Sequence, residues 1–540
     1  MRKNKFKVLF VYPNIEMRTI PPVGIATISA LLKENNIDVD VFDGTRYTDY
    51  YLNPDLDYDT SHEKFNRMDI HKDRVNNSNV NAFDWGDRDI SLKTSSIFTD
   101  FTNKIEKFGP DLIAMSIVEN TYDLGLQLLN RVYDNIPVVM GGVFATYAPE
   151  ICINDPKVDF VCRGEGEYPM LDLCNALAQG KDPSSILNIW HKSIDGTITR
   201  NPLRPAIDIN QLPIADYTIY EPELFYTPMQ GKVWRIVGFE TQRGCPYTCT
   251  YCNSPSNNYT YRKENAGNYY RKKSVENLKT EMDYLVKNFN PELIYFVADT
   301  FLAMSKPELD EFSEFYQDYK LPFWMNTRAE TIDDHSAEHL AKMNCLRFNI
   351  GIEHGNEKFR KEVLKRGVKN DAMVRAFEIA ASYADEYTCV ANSIIGLPTE
   401  TPELIMDTIE LNRRLPDEIV AAGAFIFAPY WGTALRDLAI SEGYISPDQV
   451  CTGGSNTSGS SVLNMPQLSI EEIDGFMRTF SFYVKFPRER WAEIDLANKF
   501  DKIGNEKFSN LREEYANTYL NPFSYVDGLE FKNEKEDLIC

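Results

Sequence analysis

The stretch Arg243–Pro255, RGCPYTCTYCNSP, sets Cys245, Cys249 and Cys252 close together in a C-x3-C-x2-C spacing. Thiolates are soft ligands, suited to zinc and to iron–sulfur clusters. The spacing is wrong for paired C-x2-C zinc knuckles, and no second C-x2-C follows. A cubane cluster has four irons, so three protein thiolates leave one iron open, and an open metal position signals reactivity. The expected chemistry is therefore a 4Fe–4S cluster on Cys245, Cys249 and Cys252, with a substrate or cofactor as its fourth ligand. The competing reading is a zinc ion completed by a distant Cys or His.

The rest of the chain must hold that loop. At 540 residues it has room for two or three domains. Its 57 basic against 80 acidic residues give a net charge of −23, which repels phosphate backbones and argues against nucleic acid as a partner. No apolar run is long enough for a membrane span, and MRKNKFKVLFVYP turns polar too soon for a signal peptide. A cytoplasmic location is expected, where clustered thiols read as metal or redox sites rather than disulfides. Cys152, Cys162 and Cys174 read as buried small hydrophobes, and Cys345 and Cys389 as barrel core; Cys451 and Cys540 have no assignment.

Strand and helix alternate from the start, which predicts an α/β fold with a doubly wound, Rossmann-like N-terminal domain over residues 1–180. Lys7–Pro13 is a continuous apolar run, as a doubly buried parallel strand requires. Pro21-Pro22 opens a helix with Ile25, Ile28, Leu31 and Leu32 on one face. A polar, Asn/Asp-rich stretch over about 47–95 reads as an insertion, and 181–230 as an irregular linker. A second βα series of about six units then fills 231–440, predicting a partial (β/α)6 TIM-type barrel with active groups at the strand C-termini. The remainder, 441–540, is a third region expected to be mainly helical.

The cysteine loop, with Tyr251 before its last cysteine and a strand directly upstream, resembles that of the radical S-adenosylmethionine (radical SAM) superfamily. The resemblance implies that the open iron chelates the amino and carboxylate groups of S-adenosylmethionine, whose reductive cleavage gives a 5′-deoxyadenosyl radical. It also implies an electron donor such as flavodoxin or ferredoxin. FVADTF places Asp299 and Thr300 where that family binds the methionine amino group. NTRAE (Asn326, Arg328) and GIEHG (Glu353) fall where side chains reach the methionine carboxylate and ribose. NSIIGLPTE resembles the adenine motif, with Asn392 where glycine is commoner.

PPVGIATISALLKE, VVMGG and VDFVCRGEGE resemble the cobalamin-binding domain that precedes many radical SAM domains. This implies cobalamin contacts from Gly141, Gly142, Gly164, Glu165 and Gly166, with Ser116 and Glu119 on the preceding loop. The loops Asn14–Ile20 and Val118–Tyr122 are expected beneath the corrin. The D-x-H-x-x-G signature of domains that ligate cobalt through histidine is absent, so no protein histidine is expected on cobalt. Together these resemblances imply a cobalamin-dependent radical SAM methyltransferase acting on an unactivated carbon, or a phosphinate phosphorus, of a small molecule. The alternative within enzymes is a non-methylating oxidation, cyclisation or rearrangement with the same cofactors. A cobalamin sensor or carrier and a methylthiotransferase are the remaining alternatives; the acidic C-terminus, NEKEDLIC, opposes the latter's basic RNA-binding domain.

Overall fold

The computed structural model describes residues 5–14, 20–47, 88, 90, 93–451 and 460–519. Its N-terminal strands are β1 (Lys7–Tyr12), β2 (Asp38–Asp43), β3 (Leu112–Ser116), β4 (Val138–Gly141) and β5 (Phe160–Cys162), followed by β6 (Ile189–Lys192) and β7 (Ile198–Arg200). They form one seven-stranded sheet in the order β2-β1-β3-β4-β5-β6-β7. The strands β1 to β5 run parallel, and the apolar KVLFVY of β1 is buried through its four central residues. The helix Val23–Glu34 begins after Pro22, whose extended backbone sits at the N-cap. Ile25, Leu31 and Leu32 are buried on it, and Ile28 is partly buried.

Two expectations change here. The 181–230 segment is not irregular throughout: β6 and β7 pair antiparallel with β5 and with each other and extend the sheet. Pro202 and the Asn188 side chain then fix the return, with Arg204 N–H donating to Asn188 Oδ1 at 2.7 Å. The stretch TYDLGLQLLNRVYDNI, Thr121–Ile136, also reads as a single helix from its sequence, but the helix ends early, at Leu129. Most of the 47–95 insertion and of the Asn14–Ile20 loop lies outside the described residues, as does Cys540.

The second sheet holds β8 (Tyr226–Met229), β9 (Lys232–Glu240), β12 (Leu293–Val297), β13 (Phe323–Arg328), β14 (Cys345–Glu353), β15 (Thr388–Ile395) and β16 (Val420–Ile426); a two-stranded ribbon of β10 (Gln242–Arg243) and β11 (Arg271–Lys272) stands apart. From β9 to β16 the larger sheet is parallel throughout, in chain order, with only β8 antiparallel at one edge. Helices cross between successive strands, as the partial barrel predicts, and several are capped by their own sequence. Ser274 caps Val275–Phe289, and Ser305 with Glu308 forms a capping box on Lys306–Tyr316. Register slips occur at Gly351/Glu353 and at Ala391/Ser393, which re-aims Glu353 and Asn392 at the strand ends. The C-terminal part is helical, in Ile470–Lys485, Trp491–Ala497 and Lys502–Tyr519.

One apolar core joins the two sheets. Val8, Phe10 and Ile25 of the first belong to the same buried cluster as Val237, Phe239 and Phe296 of the second. Cys152, Cys162 and Cys174 are buried, and so are Cys345 and Cys389.

Candidate active site

The cysteine loop is pinned at both ends. Arg243 pairs with Arg271 across the β10–β11 ribbon, and Gly244 turns the chain at φ 79°. A side chain at Gly244 would come within 2.8 Å of the Tyr269 ring, so this position needs glycine for both space and conformation. At the other end Cys252 caps the helix Asn253–Lys263, its sulfur accepting from Ser254 N–H at 3.4 Å.

Each thiol has a polar neighbour aimed at its sulfur. Cys245 Sγ lies 3.4 Å from Thr300 Oγ1, and Arg328 Nη1 donates to Cys249 Sγ at 2.9 Å. All three thiols are free. Burial pushes Cys245 above its ordinary range and Cys252 up to about 12, so the protein alone does not hold those two sulfurs as thiolates. A cationic cluster core held by these cysteines would supply the missing charge, since metal ligation deprotonates thiols outright. Soft donors, N–H donors toward the sulfurs and a loop fixed at both ends fit an iron–sulfur cluster.

The strand ends around the loop carry the other predicted residues. Asp299 accepts from Ser254 Oγ at 2.5 Å, and burial raises its carboxyl above the ordinary range. Asn326 receives Asn349 Nδ2 at 3.1 Å and reaches Tyr295 OH at 3.3 Å. Arg328 stacks its guanidinium 3.8 Å from the Tyr247 ring centre and pairs with Glu330 at 2.6 Å. Glu353 accepts from Tyr251 OH at 2.8 Å and from Arg366 Nη1 at 3.0 Å. Its backbone is left-handed (φ 65°), and a side chain on Gly351 would overlap the Glu353 carboxylate at 2.0 Å. Asn392 is partly buried on β15, in register with Gly351. The structure thus gathers Tyr251, Arg328 and Glu353 with the cysteines, and adds Arg366, Glu330, Tyr247 and Ser254. Burial pushes Glu330 up, but Arg366 and Arg328 outweigh it and hold the carboxyl below its usual range. No spacing signal marked Arg366, which comes from the turn before a helix. Buried Arg328 Nε and Asn258 Oδ1 have no protein partner, an orphaned donor and acceptor beside the cysteine loop, where an amino-acid ligand presents both polarities.

On the sheet side, Ser116 and Gly141 are register partners at the C-terminal ends of β3 and β4. Val118 is 42% exposed and Val143 50% exposed just beyond them, and buried Asn120 Oδ1 lacks a partner. Uncovered apolar side chains beside an unsatisfied amide fit a large, mostly apolar ligand with polar edges. Three predicted contacts have other occupations. Gly142 (φ 97°) is required by its own backbone, since a Cβ there would meet Ile117 O at 2.4 Å. Both Glu119 oxygens accept from the barrel side: Trp431 N–H at 2.9 Å and Cys451 N–H at 2.8 Å. Glu165 accepts from Arg243 at 2.9 Å and Arg271 at 2.7 Å, while Glu167 holds Arg243 at 2.7 Å. The GEGE turn therefore clamps the arginine two residues before Cys245. A Cβ at Gly164 would come within 2.6 Å of Tyr261 OH, and one at Gly166 within 3.0 Å of Ile28 Cδ1.

Glu119 follows β3 and the GEGE turn follows β5, whereas Arg243 follows β9 and Trp431 follows β16. The C-terminal edges of the two sheets consequently face each other, fastened on both flanks.

The family model "Radical SAM superfamily" matches residues 239–411, and "B12 binding domain" matches 81–173. The chain thus carries a B12-binding domain followed by a radical SAM domain. Its cofactors are a 4Fe–4S cluster, S-adenosylmethionine and cobalamin. The chain is 26% identical to an uncharacterized methyltransferase of Pyrococcus horikoshii, over 72% of this chain and 82% of that protein. It is 25% identical to the anaerobic magnesium-protoporphyrin IX monomethyl ester cyclase of Rubrivivax gelatinosus, over 57% of this chain and 55% of that protein. The fold is shared with the radical S-adenosylmethionine methyltransferase TsrM of Kitasatospora setae, solved with cobalamin and a [4Fe–4S] cluster. That likeness has a TM-score of 0.54 at 16% identity and covers 82% of this chain and 76% of that one. Among the described residues, no helix is long and apolar enough to cross a membrane.

Proposed function

We propose that this radical SAM enzyme is a methyltransferase acting on an unactivated carbon, or a phosphinate phosphorus, of a small molecule. The observation that carries the reading is the facing of the two strand-end edges. It puts the cysteine loop and the cobalamin side around one space, from which a substrate can be approached on opposite sides. When bound, the cluster with S-adenosylmethionine supplies a carbon-centred radical, and cobalamin supplies a methyl group.

The chain's own residues hold and shield that space. Arg328 donates to Cys249 Sγ, and the Thr300 hydroxyl lies against Cys245 Sγ, placed to donate to a thiolate there. Arg328 Nε, Asp299 and Asn326 are placed for the methionine carboxylate and amino groups. Glu353, oriented by Arg366 and Tyr251, is placed for the ribose, and Asn392 for the adenine. Ser116, Gly141, Gly164 and Gly166 remain the assignments for cobalamin, with Val118 and Val143 as its apolar bed. Glu119 and Glu165 act instead as fasteners between the domains. An external electron donor, flavodoxin or ferredoxin, completes the scheme.

The relationship to the cyclase favours one second reading, a cobalamin-dependent ring closure without methyl transfer. Anaerobic incubation of the reconstituted enzyme with cell extract, reductant and S-adenosylmethionine carrying a labelled methyl group separates the two. A product heavier by one labelled methylene supports methylation. Turnover that consumes S-adenosylmethionine but leaves no label in any product sinks it.

A further inference from the structure

Three metal-ligating side chains other than the cysteines converge between two helices that flank the second sheet. Asp310 lies on the helix Lys306–Tyr316, and His335 and His339 lie on Asp334–Lys342. The i, i+4 spacing puts both imidazoles on one helix face, toward the neighbouring helix. His335 Nε2 is 2.7 Å and His339 Nε2 2.9 Å from the same oxygen, Asp310 Oδ1. The imidazole centres are 4.4 Å apart, and the three donor atoms all lie within 4.8 Å of one another. The nearby lysines do not compete for the carboxylate: Lys306 is paired with Asp333 at 2.7 Å and Lys342 with Glu338 at 2.6 Å.

We propose that Asp310, His335 and His339 form a binding site for a divalent transition-metal ion, zinc above all. Two imidazoles and a carboxylate match zinc and its first-row neighbours, whereas magnesium and calcium want oxygen donors. Zinc–nitrogen bonds of about 2.0–2.1 Å set donors roughly 3.3 Å apart in a tetrahedron, so each imidazole must draw back from Asp310 by about half an ångström. The fourth position is open to solvent, because Asp310 is about half exposed (54%) and His335 lines a cavity of about 460 Å³ shared with Tyr247 and Glu330. His339 Nδ1 is buried without a partner, so its ring is held by packing and by whatever its Nε2 meets.

The ion would be structural. The helix bearing Asp310 follows the loop that carries Asp299 and Thr300, and the helix bearing both histidines follows Arg328 and Glu330. Thr300 and Arg328 are the residues that touch Cys245 and Cys249. Joining the two helices outside the sheet stiffens the supports of the cysteine loop without touching it.

The test uses the full chain with its cluster loaded, under anaerobic conditions, after exchange through a weak chelator. Zinc is titrated against a chromophoric competitor, with cluster absorbance followed in parallel. The wild type should take up one zinc per chain, with unchanged cluster absorbance and a raised melting temperature. Asp310→Asn, a conservative change at a half-exposed position, should weaken uptake by at least about tenfold, and His335→Gln with His339→Gln should abolish it. Both variants should keep the cluster and lose the zinc-dependent rise in melting temperature. No zinc uptake by the wild type, or equal uptake by wild type and variants, overturns the site. Uptake accompanied by loss of cluster absorbance would place the zinc on the cysteines and overturn it equally.

Discussion

Replacing Glu119 by alanine should unfasten one flank of the domain junction, and the effect can be read at two individual amides. The carboxylate accepts from Trp431 N–H at 2.9 Å and Cys451 N–H at 2.8 Å, and the side chain is 5% exposed. A hydrogen bond to a charged group contributes about 1.5–3 kcal/mol net, and a buried donor left dry costs about 1–3 kcal/mol. Two such bonds give a gross effect of roughly 3–6 kcal/mol. Burial pushes the Glu119 carboxyl above its ordinary range, which shows that part of the gross energy is spent on desolvation. A net loss of about 3 kcal/mol is expected, or roughly 150-fold at 1.4 kcal/mol per tenfold. Hydrogen exchange of peptides spanning 429–432 and 449–451 should therefore accelerate by about two orders of magnitude in Glu119→Ala. Glu119→Gln keeps one acceptor and should give about half that loss in free energy. Cobalamin affinity should fall in Glu119→Ala, because the sheet edge is no longer held against the barrel, while the cluster should load normally. Unchanged exchange at both segments would refute the clasp, and unchanged cobalamin affinity would refute its role in setting the junction.

The adjacent glycines Gly141 and Gly142 should behave differently. Gly142→Ala forces a Cβ to 2.4 Å from Ile117 O at φ 97° and should lower thermal stability sharply. Gly141→Ala meets nothing closer than 3.7 Å, so the fold should survive and any loss should be in cobalamin affinity alone; equal melting temperatures for the two would contradict the packing. Asp43 gives a pH test. Its half-buried carboxyl is pushed by desolvation from 3.8 up to about 6, so the folded state binds the proton more tightly than the unfolded one. The stability this confers at low pH is lost as pH rises from about 4 to 6, up to roughly 3 kcal/mol at 1.36 kcal/mol per unit. Asp43→Asn should thus flatten the urea-unfolding profile in that window and stabilise the protein at pH 7; a steeper profile would reverse the sign of the argument. Changing Cys245, Cys249 and Cys252 together to alanine should remove the cluster absorbance and the reductive cleavage of S-adenosylmethionine, and cleavage that persisted would relocate the cluster. The cob(II)alamin form should show no nitrogen splitting from protein in electron paramagnetic resonance, which a cofactor labelled with nitrogen-15 would check.

The local codes in the chain were enough for its parts. The C-x3-C-x2-C spacing is a covalent fact, so Cys245, Cys249 and Cys252 are legible in the chain as one candidate ligand set. Doubly buried strands such as KVLFVY and the strand–helix alternation are short-range patterns, legible because burial on both faces leaves no polar position. The same holds for Thr300 and Arg328, which sit at strand ends next to quoted motifs. The β6–β7 hairpin was hidden because its strands are short and polar on one side, and pairing with β5 decides their state.

What the sequence could not convey was contact between residues far apart in the chain. Glu119, Glu165 and Gly142 read as ligand contacts because polar residues and glycines at sheet edges usually are. Tertiary structure gave the first two to Trp431, Cys451, Arg243 and Arg271, and gave Gly142 to the backbone of Ile117. Arg366, which orients Glu353, comes from a turn with no local mark. The amino-acid order by itself determined which cofactors the chain can hold. Only the packing of one strand-end edge against the other decided that Glu119 and the GEGE turn meet Trp431, Cys451 and Arg243, because Coulombic pairing and hydrogen bonding depend on distance in space and are indifferent to separation along the chain.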